Sequence, residues 1–473
     1  MSILALLIIV VDVIIIIVLI PTIILQRRES GATLAWMVTI VLLPYIGLIL
    51  FWVFGTTRLH LRRRKRHRVE KQISRNLKNI RKQLSSSAEL SGFSVNLLNL
   101  ATKLDGIGPR RNNDIKLFRS GKTAFDEIVA SIETAKDHIH LIYYIWQPDS
   151  TGKRVRNALI TASKRGVMVR LLIDDLGSYD TQASFFKPLV DSGGEIERFL
   201  PITPFSQHFK LNNRNHRKII VIDGKVGFTG GMNIGDDYAG LGEPWIDLHA
   251  KITGLAVYSL QEIFCQDWYQ TTACDLTNKP YFPKIENKGN TWVQVLSSGP
   301  ADERWKNIHT LLFASINMAQ KTIWIETPYF VPDPPIVMAL QTAALSGVDV
   351  RLLLPSKSDN PLALHAGRSF LDELMHAGVR VFEVQNAMPH AKMVTIDGVF
   401  STMGSANMDQ RSFRLNFETN LFFYGKEVAK EMERDFISLC NQQAKELCLK
   451  ERKNIKGLQR LAEGIGRVLA PLL

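Results

Sequence analysis

The sequence predicts an α/β protein with two pseudo-symmetric domains, each a mixed sheet flanked by helices, preceded by an N-terminal two-helix transmembrane hairpin. Three observations support this fold class: two apolar runs near the N-terminus, a helix–strand pattern that repeats, and a polar motif that occurs twice. With 473 residues, of which 46% are apolar and 22% charged, the chain can form two or three domains with packed cores.

The two apolar runs come first in the chain. Residues 2–25 contain a single charge, Asp12, and a second apolar run covers residues 34–54. Each run can cross a hydrocarbon core of roughly 30 Å. A cleaved signal peptide is disfavoured because a basic n-region and a small-residue cleavage site are both missing and a second run follows. We predict a transmembrane hairpin at residues 1–57, with a pair of buried core helices as the alternative.

A strongly basic segment follows the second run. Residues 58–82 hold 12 Lys and Arg and one acid, a net charge of +11, whereas the whole chain has +13. A nucleic-acid-binding protein would spread this charge over a folded face. Beside a membrane span, Lys and Arg stay cytoplasmic and attract anionic lipid headgroups. We predict a basic juxtamembrane linker at 58–111, an anionic membrane as partner, no nucleic-acid partner and a cytoplasmic catalytic body. A solvated helix that acts only as a topology signal is the alternative.

Beyond the linker, one helix–strand unit occurs twice, about 175 to 185 residues apart. The segments "TAFDEIVASIETAKDHIHLIYYIWQPD" and "IHTLLFASINMAQKTIWIETPYFVPD" each read as an amphipathic helix followed by a strand. In the next unit of each copy, Gly166 and Gly347 end the helix before the strand. We predict domains at 112–285 and 286–450, each with a mixed sheet covered by helices.

The repeated polar motif is "HRKIIVIDGKVGFTGGMN" in the first copy and "HAKMVTIDGVFSTMGSAN" in the second. Its matched positions are His216, Lys218, Asp223, Gly230 and Asn233, and His390, Lys392, Asp397, Gly404 and Asn407. Five fixed positions recur by chance at about one in three million starts. The motif is therefore a true internal repeat.

Strand geometry assigns a direction to the side chains of the motif. Residues i and i+2 project from one face of a strand, so the His and the Lys of each copy point together. Asp223 and Asp397 precede glycines at hairpin turns and have the opposite parity. Parity therefore favours a structural anchor over an acid that takes part in the reaction.

The residue types predict phosphate chemistry without a metal or a cofactor. Lysine is not a metal ligand, and no carboxylate lies at ligand spacing. Two ammonium groups with the amides of Asn233 and Asn407 can hold a phosphate. The small residues of the motif let backbone N–H groups approach the anion, and they are Gly230, Gly231, Gly404 and Ser405. One histidine can attack phosphorus while the other protonates the leaving alcohol.

Each histidine also needs a carboxylate that orients its ring. Asp247 lies 31 residues after His216, and Glu418 lies 28 residues after His390. Both fall on the next predicted strand of their own repeat. We expect each carboxylate to orient the histidine of its repeat, with ordinary surface acids as the alternative.

The motif His-x-Lys-x4-Asp-x6-Gly-x2-Asn, present twice, resembles the phospholipase D superfamily. The closer resemblance is to bacterial cardiolipin synthases of the membrane-anchored type. It covers nearly the whole chain, including "YYIWQP", "WIDLH", "TPYFVP" and "NMDQRSFRLNFE". One departure is Gly231, where the superfamily more often has Ser.

The resemblance implies a reaction and a location. Two phosphatidylglycerols would give cardiolipin and glycerol through a phosphatidyl-histidine, with retention at phosphorus. It implies His216 as nucleophile, His390 as acid and base, Asp223 and Asp397 among the catalytic residues, and a two-span inner-membrane protein. A phospholipase D that uses water and a transferase with another acceptor remain alternatives. A nuclease is disfavoured by the nearly neutral body.

The tail, residues 451–473, predicts an amphipathic helix. Its apolar positions fall on one helical face: Ile455, Leu458, Leu461, Ile465, Val468 and Leu469. Such a helix lies either in a membrane interface or on the body of the protein.

Overall fold

A computed structural model describes residues 3–25, 30–51, 94–201, 213–242, 245–277, 279–284, 289–300 and 307–470. The basic segment 58–82 lies outside the described residues. The N-terminal helices are α1 Ile3–Leu25, α2 Ser30–Leu42 and α3 Pro44–Leu50. They pack around Ile23, Ile40 and Phe51. Among the described helices, none combines the length and apolar character of a membrane span, so the transmembrane hairpin stays a prediction.

The first half of the body alternates helices and strands as the sequence predicts. Its elements are α4 Val95–Asp105, β1 Arg110–Phe118, α5 Gly121–Glu133, β2 His138–Tyr143, α6 Ser150–Lys164, β3 Met168–Asp174, α7 Ala183–Asp191, β4 Glu195–Phe199, β5 Ile219–Ile222, β6 Val226–Gly230, α8 Asp236–Ala239, β7 Trp245–Ile246, β8 His249–Gly254 and α9 Ala256–Thr272.

The second half repeats this order and adds a C-terminal extension. Its elements are β9 Thr291–Ser298, α10 Asn307–Asn317, β10 Thr322–Glu326, β11 Phe330–Val331, α11 Pro334–Leu345, β12 Asp349–Pro355, α12 Pro361–Arg368, α13 Leu371–His376, β13 Arg380–Val384, β14 Met388–Pro389, β15 Met393–Ile396, β16 Phe400–Gly404, β17 Met408–Asp409, α14 Gln410–Arg414, β18 Glu418–Tyr424, α15 Lys426–Gln443, β19 Ala444–Glu446, α16 Leu449–Lys453 and α17 Gly457–Leu469.

Fifteen of the strands, drawn from both halves, form one mixed sheet. From the central antiparallel pair β1–β9, the order runs outward as β8-β6-β5-β2-β3-β4 on one side and β18-β16-β15-β10-β12-β13-β19 on the other. The two predicted sheets are therefore present, in matching order, and are joined edge to edge. Gly166 and Gly347 follow α6 and α11 with φ of 90° each, as the repeat predicts.

Helices cover both faces of the sheet. Helices α5 to α7 pack on one face of the first half, and α10 to α13 pack on one face of the second. Helices α9 and α15 cover the other face and share a hydrophobic core that spans both halves. Helix α4 lies within the predicted linker, yet it buries Leu97 and Ala101 against the second half. The folded body thus begins earlier in the chain than the predicted boundary at residue 112.

Candidate active site

Each copy of the motif continues into a strand, β5 or β15, whose residues are all buried and are nearly all apolar. The residues just before these strands are therefore held at the edge of the core. Lys218 and Lys392 are themselves buried. Lys218 Nζ donates to the carbonyl oxygen of His216 at 2.6 Å, and Lys392 Nζ donates to that of His390. Each ammonium group is thereby held beside its histidine.

Two short backbone bridges join the halves at these histidines. Asn215 pairs with Phe417, and strand β14 pairs with β7, both in parallel. The backbone N–H of His216 donates to the carbonyl of Phe417 at 2.9 Å, and that of His390 donates to Ile246 at 2.7 Å. Each histidine therefore lies opposite the residue that precedes the carboxylate of the other half.

This pairing crosses the carboxylates between the halves. His216 Nδ1 lies 3.1 Å from Glu418 Oε2, and His390 Nδ1 lies 2.6 Å from Asp247 Oδ2. The two predicted carboxylates do contact the histidines, but the expected pairing within each repeat is wrong. The sequence separation predicted only that each acid lies on the strand after the motif of its own repeat. The backbone bridges between the halves determine which histidine ring each acid contacts.

The contacts of His216 fix its tautomer. Its Nδ1 lies 3.0 Å from the carbonyl oxygen of Ser405 as well as within reach of Glu418. A carbonyl oxygen can only accept a hydrogen bond, so Nδ1 must have the proton. The lone pair of the neutral ring is then on Nε2, the nitrogen that a nucleophile or base would use.

Burial lowers the pKa of all four basic groups of the motif. It lowers the pKa of His216 below its usual value and that of His390 to about 4. It also lowers the pKa of Lys218 to about 7, where the charge of Lys392 adds to the effect, and that of Lys392 to about 8. At neutral pH the imidazoles are therefore neutral, as a nucleophile or base must be.

The two carboxylates respond in the opposite direction. Burial acts to raise the pKa of Asp247 and of Glu418. The basic groups Lys392 and His390 beside Asp247, and His216 and Lys218 beside Glu418, outweigh burial through charge and hydrogen bonding and lower both pKa values. Ionised carboxylates can orient the rings and stabilise an imidazolium when one forms.

Both histidines line one cavity of about 370 Å³. Asn233 and Asn407 line it too. Asn233 donates to Tyr238 Oη at 2.7 Å and accepts from the N–H of Ile145, so its amide is already held by the protein. The cavity lining also includes residues that the sequence interpretation missed, among them Tyr144, Tyr238, Tyr329, Asp359, Asp409 and Arg411.

Aromatic rings, one of them from a missed cavity position, pack on the histidines. Tyr144 meets the His216 ring edge to face, with ring centroids 4.9 Å apart, and Trp245 lies 4.8 Å from the His390 ring. Tyr144 and Tyr329 belong to "YYIWQP" and "TPYFVP", which follow corresponding strands of the repeat. A tyrosine shortly after β2 and another shortly after β10 were the available signal.

The small residues of the motif have structural contacts of their own. None of Gly230, Gly231, Gly404 and Ser405 is among the described residues that line the cavity. A Cβ at Gly231 would lie 2.1 Å from Asp247 Oδ1. Ser405 Oγ donates to Glu418. These residues therefore make room for, or bond to, the two carboxylates and the neighbouring strands, and their contact with phosphate stays a prediction.

Asp223 and Asp397 lie at the far ends of β5 and β15 from the cavity. Asp223 accepts hydrogen bonds from three consecutive N–H groups, residues 136–138, at 2.8 to 3.0 Å. Asp397 accepts from residues 320–322 at 2.7 to 2.9 Å. Both have positive φ, 52° and 54°. Their inclusion among the catalytic residues is corrected: these carboxylates anchor the turn to the start of the adjacent strand, as parity indicated.

The described residues offer no group of three His, Cys, Asp or Glu side chains that could hold a metal ion. Two pseudo-symmetric α/β halves that each bring a histidine to one cavity, with the lysine of a His-x-Lys pair buried beside it, are typical of the phospholipase D superfamily. The model of the family described as "Cardiolipin synthase, PLD-like domain" matches residues 128–254 and 312–440. The model described as "Phospholipase_D-nuclease N-terminal" matches residues 5–55.

Curated relatives agree with the family models. The chain is 37% identical to the cardiolipin synthase of Listeria welshimeri over 96% of both chains. It is 38% identical to cardiolipin synthase 1 of Bacillus anthracis over 95% of this chain and 91% of the relative. Phosphatidylserine synthase from Haemophilus influenzae has the same fold, with a TM-score of 0.59 and 17% identity over 76% of this chain and 95% of that one. The chain belongs to the cardiolipin synthase family and is a phosphatidyltransferase.

Proposed function

We propose that this enzyme joins two phosphatidylglycerol molecules into cardiolipin and releases glycerol, through a phosphatidyl-histidine at His216. The observation that supports this best is the cavity with two neutral imidazoles, each backed by the carboxylate of the other half. The two relatives are named cardiolipin synthases, and this chain matches them over nearly their whole length.

In the first step, His216 Nε2 attacks the phosphorus of one phosphatidylglycerol. A phosphorus–nitrogen bond forms, the bond to the headgroup glycerol breaks, and His390 gives its proton to the departing glycerol oxygen. The fixed Nδ1–H of His216 supports its assignment as the nucleophile. Glu418 stabilises the positive charge that the ring acquires.

In the second step, His390 takes the proton from a headgroup hydroxyl of a second phosphatidylglycerol. That oxygen attacks phosphorus, the phosphorus–nitrogen bond breaks, and cardiolipin leaves. Two displacements in line give overall retention at phosphorus. Lys218 and Lys392 supply the positive charge for the phosphate oxygens, so the proposed reaction uses no metal.

The bound phosphodiester also prepares His390 for its role. Burial keeps the pKa of His390 near 4 in the free site, so the ring is neutral there. A phosphate anion beside the ring raises this pKa, because an opposite charge favours the protonated form. Substrate binding is thus expected to take up a proton, which His390 then donates.

The test is to incubate the purified full chain with phosphatidylglycerol labelled at phosphorus and at the headgroup glycerol. We expect cardiolipin and free glycerol in equal amounts, and an acid-labile label on His216 after rapid denaturation. His216→Ala and His390→Ala should each lower the rate by about 10³-fold or more. His376→Ala, an exposed histidine on α13, is the matched control and should leave the rate unchanged.

Other products would reject parts of the proposal. Phosphatidic acid as the main product would mean that water is the acceptor. Cardiolipin formation that survives both histidine substitutions would remove the two-histidine mechanism.

We also propose that residues 1–57 anchor the enzyme in the bacterial inner membrane, with the body on the cytoplasmic side. The apolar side chains of α1 and α2 are largely exposed, for example Ile17 at 64% and Val38 at 54%. Such surfaces are unusual on water-soluble monomers. The basic composition of residues 58–82 supports the cytoplasmic orientation. Protease protection of tagged loops in spheroplasts tests it, and cleavage of the body from outside would reject it.

A further inference from the structure

The C-terminal helix α17 packs on the body with inverted polarity. Helices of water-soluble proteins bury the apolar face and expose the polar one. Helix α17 buries Glu463 and Gly466 instead. Four of its large apolar side chains are between 50% and 82% exposed, and they are Leu458, Leu461, Ile465 and Val468. We call these four residues the apolar stripe.

The buried side of α17 is closely fitted. Glu463 accepts two hydrogen bonds from Arg452 at 2.8 and 2.9 Å. A Cβ at Gly466 would lie 2.6 Å from the backbone nitrogen of Ala366, so the two helices approach as closely as only glycine allows. Arg467 donates to Glu373 at 2.8 Å. The exposure of the apolar stripe therefore follows from a specific docking of the helix.

Helix α17 packs on α12, and the start of α12 borders the cavity, which Asn360 and Ala363 line. One turn further on, Ala366 contacts Gly466 of α17. The apolar stripe thus lies one helix away from the place where the lipid headgroup would bind.

The charge around the apolar stripe is positive. Residues 449–469 include six Lys or Arg and two Glu. Lys450, Lys453 and Lys456 are exposed next to the start of α17. A stripe of apolar side chains beside lysines matches an anionic lipid surface, where acyl chains lie beneath negative headgroups.

We propose that the apolar stripe of α17 inserts into an anionic phospholipid bilayer and holds the mouth of the cavity at the lipid surface. The stripe enters the boundary between headgroups and acyl chains, and the flanking lysines contact phosphates. A substrate lipid then reaches the histidines without leaving the bilayer completely. A protein partner or a second copy of the chain would instead cover the stripe without lipid contact.

The test uses a fluorophore at a single introduced cysteine in the full chain. The exposed Cys274 and Cys448 are first replaced by Ser. An environment-sensitive dye is attached at Leu461→Cys, and the protein is reconstituted into vesicles that contain phosphatidylglycerol and lipids with a nitroxide in the acyl chain. The control is Leu345→Cys, at a position where the leucine is 74% exposed. Leu345 is the last residue of α11, close to the start of β12, and the cavity lies beyond the other ends of the strands.

We expect the nitroxide to quench the dye at 461 and not at 345. Equal quenching at both positions overturns the proposal. A blue shift at 461 without quenching overturns it too, because the stripe would then be covered by protein.

A second measurement separates lipid contact from catalysis. We expect Leu461→Gln/Ile465→Gln to lower cardiolipin formation on vesicles by about tenfold or more, because apolar burial in the interface is lost. With short-chain phosphatidylglycerol dissolved as monomers, the rate should equal that of the parent, as it should for Leu345→Gln in both assays. Equal loss with both substrates overturns the proposal. If the parent makes no cardiolipin but the dye at 461 is still quenched, the proposed function fails and the lipid contact stands.

Discussion

At the scale of single residues, the crossed contacts between carboxylates and histidines give the sharpest prediction. A phosphatidyl ester of p-nitrophenol needs no acid, because its leaving group departs as a stable anion. We expect Asp247→Asn, which disturbs His390, to keep the first burst of p-nitrophenolate. Glu418→Gln, which disturbs His216, should slow that burst by about 10²-fold or more. Stopped-flow absorbance measures both.

The same experiment distinguishes the crossed pairing from pairing within each repeat. If each carboxylate served the histidine of its own repeat, Asp247→Asn would slow the burst and Glu418→Gln would keep it. With phosphatidylglycerol as substrate, which needs the acid, both variants should be slow.

The anchoring aspartates give a prediction about stability. Asp223→Ala removes the acceptor of three backbone N–H groups. It also places alanine at a positive φ, which Asp tolerates better than Ala. We expect a loss of about 2–4 kcal/mol in the free energy of unfolding. Because Asp223 lies away from the cavity, kcat of the folded fraction should stay within about twofold.

Denaturant unfolding of the solubilised chain, followed by a count of active sites, measures both quantities. Asp223→Asn, which tolerates positive φ and keeps one acceptor, is the matched control and should lose less. A kcat that falls with unchanged stability would return Asp223 to the catalytic residues.

The structure brings the two predicted histidines to one cavity, but the sequence did not predict all their partners. Five spacings that recur identically identify His216, Lys218 and their repeats without knowledge of the fold. The contact of His216 with Glu418 depends on a bridge between residues 215 and 417, about 200 positions apart. No local pattern contains that information, because periodicity describes faces of elements and not the contacts between halves.

At the scale of elements, helix α9 contacts the first motif through a buried ion pair that the second motif lacks among the described residues. Its buried Asp267 pairs with the guanidinium of Arg217 and accepts from Asn215 Nδ2 at 2.9 Å. In the second copy Ala391 stands where the first has Arg217. The strand β5 is therefore fixed to α9 by charge, whereas β15 has no such ion pair among the described residues.

We expect Asp267→Asn to destabilise the protein by about 3–5 kcal/mol, because the buried Arg217 loses its counter-charge. The exposed Asp191, paired with Lys187, is the control, and Asp191→Asn should cost at most about 1 kcal/mol. Denaturant unfolding measures both. If Arg217→Ala/Asp267→Leu is as destabilised as Asp267→Asn, the uncompensated charge is not the cause.

The elements themselves follow closely from the sequence. Amphipathic helices that lead into apolar strands, with Gly166 and Gly347 at the helix ends, predict the alternating units. The segments after the strands were missed, although their loops bring Tyr144 and Tyr329 to the cavity and helix α14 brings Arg411. Loop residues follow no periodicity, so their convergence becomes visible only when the strands are ordered in the sheet.

At the scale of the whole molecule, the cavity depends on both halves being joined. The central pair β1–β9 makes one sheet of the two repeats, and the bridges at residues 215 and 388–389 bring each histidine to the opposite half. Either half alone would have a histidine without its carboxylate. The internal repeat in the sequence thus corresponds to one active site, because the site lies on the pseudo-symmetry axis and uses each copy once.

Joining the halves also sets the pH range of the enzyme. Burial lowers the pKa of Lys218 to about 7 and that of Lys392 to about 8, and the charge of Lys392 from the opposite half adds to the lowering at Lys218. In the proposed reaction the lysines act as cations, which exist below these pKa values and disappear above them. We expect kcat/KM in neutral mixed micelles to fall about tenfold per pH unit above about 7, where Lys218 loses its proton, and more steeply above about 8. An acid limb should appear below pH 6.5, where the lowered pKa of His216 is reached.

Arginine keeps its charge at any of these pH values, so Lys392→Arg should leave the limb of Lys218 near pH 7 and remove the steeper fall above pH 8. Lys392→Met should move the limb of Lys218 to higher pH, since removal of a like charge raises the pKa of Lys218. A limb that moves in Lys392→Met and stays in place in Lys392→Arg would show that one cavity couples the lysines, and an alkaline limb near pH 10 in all three proteins would contradict the coupling.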